Sequence, residues 1–145
     1  MKYSEKSSRK YKLVIDANVI ISAVFGGYPE EVIQIAISHE IFAPLILKKE
    51  LERFTKKVES KKKFPHLKEF FNYLLNYIKL VNVEKIERIS RDRSDDFYIA
   101  AAVQGKVDFL ISGDKDLLSC KDIHKWSFKI LSPKEFIDLI RKSQR

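Results

Sequence analysis

The chain has 145 residues, 45% hydrophobic and 33% charged, the size and balance of one globular domain, which excludes a mostly disordered chain. With Cys120 as its single cysteine it can form no internal disulfide and carries no CxxC zinc or redox motif, and no apolar run approaches the roughly 18 residues of a membrane span. Lys and Arg number 28 against 20 Asp and Glu, a net charge of +8, which points to a polyanionic partner, nucleic acid first.

Residues 1–11 are polar and basic without an apolar period and read as a flexible tail. Lys12-Leu-Val-Ile-Asp16 is a short β-branched strand ending on an acid. The apolar stretch from Asn18 to Phe25 turns into a helix stopped by Gly26-Gly27, and Pro29 sits in the first turn of a second helix with Val32, Ile33, Ala36 and Ile37 on its apolar face. Ile41-Phe42-Ala43 is a brief strand. Leu47, Leu51, Phe54 and Val58 carry the helical period beyond Pro44, and a further helix runs from Pro65 to Tyr77. Ile78 to Val83 reads as a strand. Ser94 is placed to cap a helix that ends at Gly105. Val107 to Ser112 and Phe128 to Leu131 are the last strands, and Ser132-Pro133 opens a final helix with Phe136, Leu139 and Ile140 on its apolar face.

Short strands alternating with helices predict an α/β fold, a single α/β/α domain over residues 12–145 with a mostly parallel sheet. In such sheets the functional crevice opens at the carboxyl ends of the strands, where their order reverses. Asp16, Ser112 and Asp114 lie at or just beyond strand ends. Glu50 lies early in the helix after the second strand, and Asp95 and Asp96 lie in the first turn before Ile99-Ala-Ala-Ala-Val103.

Each acid alone has a local explanation, since carboxylates favour turns and first helical turns. Gathered at one sheet edge, they would repel by roughly 4 kcal/mol per pair at 4 Å and intermediate dielectric, and a cation relieves that cost. Hard carboxylate oxygens without nearby His or Cys suit Mg²⁺ or Mn²⁺, and His39, His66 and His124 have no ligand spacing. One or two such ions support phosphodiester hydrolysis, with Lys and Arg around the pocket taking the phosphates.

The same residues resemble the PIN-domain nucleases. Val14-Ile-Asp16-Ala-Asn18-Val-Ile-Ile-Ser22 is similar to that family's first strand, in which Asp binds metal and Asn and Ser support it. Lys49-Glu50-Leu51 is similar to its second acid, and Asp92-Arg-Ser-Asp95-Asp96 followed by Ile99-Ala-Ala-Ala102 to its third. Distance to Ala102 and Gly105 favours Asp95, with Asp96 able to substitute. Leu110-Ile-Ser112-Gly-Asp114-Lys-Asp116 is similar to the fourth, with Ser112 where Thr is frequent and Arg93 where Pro is frequent. The resemblance runs from residue 12 to about residue 140.

It implies a five-stranded parallel sheet and a Mg²⁺- or Mn²⁺-dependent single-strand ribonuclease. Asp16, Glu50, Asp95 and Asp114 would be metal ligands and catalytic acids, supported by Asn18, Ser22, Asp96, Ser112 and Asp116. The nearest subgroup contains the toxins of prokaryotic toxin–antitoxin pairs. The expected partners are therefore RNA and a cognate antitoxin, with a homodimeric, cytoplasmic protein and no membrane. Between Lys48 and Lys63, Lys and Arg outnumber Glu, and Lys61, Lys62 and Lys63 are candidate phosphate contacts. Two other readings compete. A haloacid-dehalogenase-type phosphatase needs a second Asp where Asn18 stands, and an amide cannot relay a proton. A non-catalytic RNA- or partner-binding domain has no need of four acids.

Overall fold

Leu13, Val14 and Ile15 are all buried, so β1 (Lys12–Ile15) has neither face open to solvent. Side chains alternate across a strand, and a run buried on both sides belongs at the centre of a parallel sheet. The computed structural model, which describes residues 9–59, 64–121 and 126–144, places β1 third among five strands. The others are β2 (Glu40–Pro44), β3 (Ile78–Val81), β4 (Phe109–Ile111) and β5 (Lys129–Leu131), in the order β3-β2-β1-β4-β5 and all parallel. Val14 is in register with Phe42 on one side and Leu110 on the other.

The helices are α1 (Ala17–Ser22), extended by a 3₁₀ turn at Ala23–Phe25, then α2 (Gly27–Ala36), α3 (Ile46–Glu59), α4 (Leu67–Leu75), α5 (Arg93–Gly105), α6 (Lys115–Leu118) and α7 (Pro133–Ser143). Parallel strands joined by right-handed crossovers fix their placement. The chain steps outward from β1 to β3 with α1–α4 on one face. It then crosses back through α5, which packs along β2, β1 and β4 on the other. Helix α7 returns to α2, where Arg141 pairs with Glu31. Strand order reverses between β1 and β4, and the crevice beyond their carboxyl ends is the switch point of the sheet. Among the described residues no single helix is long and apolar enough to cross a membrane.

The fold matches the expected α/β class and five-stranded parallel sheet, with differences at the ends of elements. Tyr11, read as the end of the tail, is buried against His39 and Phe109, and its N–H donates to His39 Nδ1 at 2.9 Å. Residues 1–8, like Lys61, Lys62, Lys63 and His124, lie outside the described residues. Gly26 and Gly27, at φ 86° and 76°, stop the 3₁₀ turn in a backbone region that favours glycine. At the end of α5 the left-handed residue is Lys106 at φ 50°, not Gly105. Gly105 serves packing instead, since a Cβ there would stand 3.4 Å from Val107 and 3.6 Å from the Phe42 ring. Strand β4 begins only at Phe109, because Asp108 turns its carboxylate back to the Lys12 N–H at 2.8 Å. Ile137 joins Phe136 and Ile140 in the buried face of α7, and Leu139 is half-buried.

Candidate metal centre

Three of the acids in the crevice are N-caps, which fixes where their carboxylates point. Asp16 follows β1, its N–H bonded to the Ile111 carbonyl at 3.1 Å, and its Oδ1 caps α1 by accepting from the Val19 N–H at 3.0 Å. Asp92 caps α5 through Oδ1, which accepts from the N–H and the hydroxyl of Ser94, both at 3.0 Å. Asp114 caps α6 through Oδ1, which accepts from the Asp116 N–H at 2.9 Å. Ser94, expected to cap α5, is thus the second residue of that helix; Asp92 precedes it in an extended conformation and holds its N–H.

Ser112 joins the two strands at the switch point. It is fully buried, its N–H bonds the Leu131 carbonyl at 3.0 Å, and its hydroxyl donates to Asp16 Oδ2 while accepting from the Asp114 N–H at 2.9 Å. Both oxygens of Asp16 are therefore engaged. Asp92, Asp95 and Asp114 each retain one oxygen that accepts no hydrogen bond among the described residues, because Ser90 Oγ takes only Oδ2 of Asp95, at 2.9 Å. Ligand atoms of these three acids all lie within 4.8 Å of one another.

The neighbours Asp95 and Asp96 have separate tasks. Asp96, 1% exposed, accepts from the N–H groups of Ile89 and Ser90 at 3.1 and 2.8 Å and pairs with Arg93 at 3.5 Å. It is committed to holding the segment that leads to Asp92. Asp95, 4% exposed, faces the cluster.

Of the four expected ligands the structure brings Asp95 and Asp114 together with Asp92, and sets Asp16 and Glu50 beside them. Glu50 stands half-buried on α3, its Oε1 accepting from the buried Tyr98 hydroxyl at 2.5 Å. Asn18 is exposed on α1 and Ser22 half-buried one turn on, and neither bonds to an acid among the described residues. Asp116 acts through its backbone, donating to Asp114 and accepting from Ser119 Oγ and Cys120 Sγ. Asp92 was part of the quoted motif but not among the expected ligands. The available signal was its Asp-x-Ser spacing, which marks an N-cap three residues before Asp95.

Electrostatics set this corner apart. Burial, with Asp114 and Glu50 adding to it and the Ser112 and Val19 bonds opposing it, raises Asp16 from 3.8 to about 6. Burial, reinforced by Asp114, Asp92 and Asp16, raises Asp95 to about 7. Glu50 is also raised, by burial first, while the Tyr98 bond and Arg53 act the other way. Among the described residues, the ion pairs reach none of Asp16, Glu50, Asp92, Asp95 and Asp114. Crowded hard oxygens that no ion pair among the described residues reaches are the donor set of a Mg²⁺- or Mn²⁺-class site.

The parallel α/β sheet and the acids gathered at its switch point are features of a nuclease-type fold once the family is known. The pattern of the PIN domain family matches residues 12–116, from β1 into α6, and the chain belongs to that family. PIN domains are generally metal-dependent nucleases that use divalent ions. The chain is similar to "Uncharacterized protein MJ1680" of Methanocaldococcus jannaschii, at 29% identity over 154 residues that cover 92% of this chain and 94% of that one.

Proposed function

We propose that the protein is an endoribonuclease that uses Mg²⁺ or Mn²⁺ to hydrolyse phosphodiester bonds of single-stranded RNA. The observation that carries this reading is the cluster of Asp92, Asp95 and Asp114, in no ion pair among the described residues, at the switch point of a PIN domain. These three would hold the ion, with Asp16 and Glu50 as flanking acids and Asp96 fixing the loop. A divalent ion held there would supply Lewis-acid stabilisation of charge on the phosphodiester oxygens and a lowered water pKa.

The remaining chemistry belongs to side chains of the chain itself. Ser112 locks Asp16 to Asp114, so strands β1 and β4 present their acids in one fixed relation. Exposed Arg53 lies one turn from Glu50 on α3 and acts on its charge, and exposed Arg91 and Arg93 flank Asp92. They are candidate phosphate contacts beside the acids, as Lys61, Lys62 and Lys63 are on the sequence alone. RNA as the substrate, a homodimeric toxin in the cytoplasm and neutralisation by an antitoxin rest on the resemblance of the four acidic motifs to toxin members of the family.

The test is purified protein on single-stranded RNA with Mn²⁺. The reading expects cleavage that EDTA abolishes, leaving 5′-phosphate and 3′-hydroxyl ends and weakening steeply with salt. Cleavage that persists in EDTA and leaves cyclic phosphates overturns it, and binding without cleavage returns the protein to the non-catalytic reading. Expression in a host with and without a candidate antitoxin tests the toxin role.

A further inference from the structure

Tyr98 belongs to none of the acidic motifs, yet it is 2% exposed and carries a hydroxyl into the wall of the crevice. A buried hydroxyl needs a partner, and this one donates to Glu50 Oε1 at 2.5 Å, the length of a charge-assisted bond. Two helices meet there. Glu50 comes from α3, and Tyr98 follows Asp95 by three residues on α5, which places both on one face of that helix. The backbone of Ala17, the first residue of α1, lies against the same hydroxyl. One helix thus delivers an acid to the cluster and a donor to the acid beside it. Phenylalanine would fill the same space but would leave a half-buried carboxylate without this donor.

We propose that Tyr98 is a positioning residue of the metal centre, its hydroxyl holding Glu50 in place as an additional carboxylate for the ion bound by Asp92, Asp95 and Asp114. The proposal rests on the metal-site reading above, and the experiment separates the two. Calorimetric titration with Mn²⁺ is run on metal-free wild type, Tyr98→Phe, Glu50→Gln and the double variant, with a melting curve of each in EDTA. Removing a group that orients a metal ligand costs about 10- to 100-fold in metal affinity, so Tyr98→Phe should weaken Mn²⁺ binding by that factor.

Its melting curve in EDTA should stay close to wild type, and the double variant should bind no more weakly than Glu50→Gln, because the hydroxyl acts only through Glu50. A merely structural tyrosine predicts the reverse, a lower melting temperature with unchanged affinity. Wild-type affinity in Tyr98→Phe beside weakened Glu50→Gln overturns the positioning role and leaves the metal site standing. No Mn²⁺ binding by wild type overturns both. Should Tyr98→Phe not fold, Glu50→Asp replaces it. That variant keeps the charge but withdraws it from the hydroxyl, and wild-type affinity there also overturns the proposal.

Discussion

The two ends of the sheet use acids in different ways. At the amino end, Asp108 accepts from the Lys12 N–H at 2.8 Å, while its own N–H and carbonyl bond Lys12 and Lys129. Beside it His39 accepts from the Tyr11 N–H, and burial holds its imidazole below the ordinary value, which suits an acceptor nitrogen. Each polar side chain there serves the backbone singly. At the carboxyl end the acids make the same kind of backbone bond, as caps of α1, α5 and α6. The difference is concentration: three carboxylates within 4.8 Å, with Asp16 and Glu50 near. A capping bond does not mark a functional acid, whereas like charge gathered without a counter-ion does.

Exchanging acids between the two ends breaks this comparison most directly. Asp95→Asn and Asp114→Asn should each lower RNA cleavage about a thousandfold, the equivalent of about 4 kcal/mol of transition-state stabilisation, without lowering the melting temperature in EDTA. Asp108→Ala should leave cleavage unchanged and cost about 1 kcal/mol of stability in urea melts. Cleavage surviving in the first pair makes the carboxyl-end acids caps and nothing more.

Stability against pH sharpens the contrast. Below pH 3.8 the folded and unfolded chains both hold the Asp16 proton, and above about 6 the folded chain must ionise a buried acid that the unfolded chain ionises freely. Metal-free protein should therefore lose about 3 kcal/mol as pH rises from 4 through 6 and beyond. Asp95, raised to about 7, extends the loss toward neutrality. Saturating Mn²⁺ should reverse it, because the bound ion favours the ionised acids. The check is chemical unfolding from pH 4 to 8 with and without the ion, and a flat metal-free profile removes the electrostatic distinction between the ends.

Smaller effects separate neighbours. Asp96→Ala leaves the N–H groups of Ile89 and Ser90 unpartnered and should cost about 1–3 kcal/mol, with cleavage falling through a loosened Asp92. Ser132→Ala removes the capping box with Glu135 at the start of α7, at the carboxyl end of β5 and outside the acidic cluster. It should cost about 1 kcal/mol in the same melts and leave cleavage untouched.

The sheet and most helices were legible because burial on both faces of Leu13–Ile15 and Phe109–Ile111 writes an unbroken apolar run into each strand. The acids at strand ends were legible because that placement is a property of parallel sheets. Asp92 was not, since an exposed Asp before a helix looks the same whether it caps only or also faces a cluster. Nor was the division of labour between Asp95 and Asp96, which depends on a segment without regular structure folding back onto Asp96. Tyr98 carried no signal in the sequence because its partner lies 48 positions away.

That sequence distance has a consequence for synthesis. Ser112 and Asp16, hydrogen-bonded across the switch point, stand 96 residues apart, and the β1–β4 pairing around them is equally remote. Non-local pairings of this kind form late and slowly. A chain still being translated holds Asp16 long before Asp114 leaves the ribosome, so the site cannot assemble on a partial product. The acidic centre is thereby incomplete until translation has passed β4 and the turn that carries Asp114.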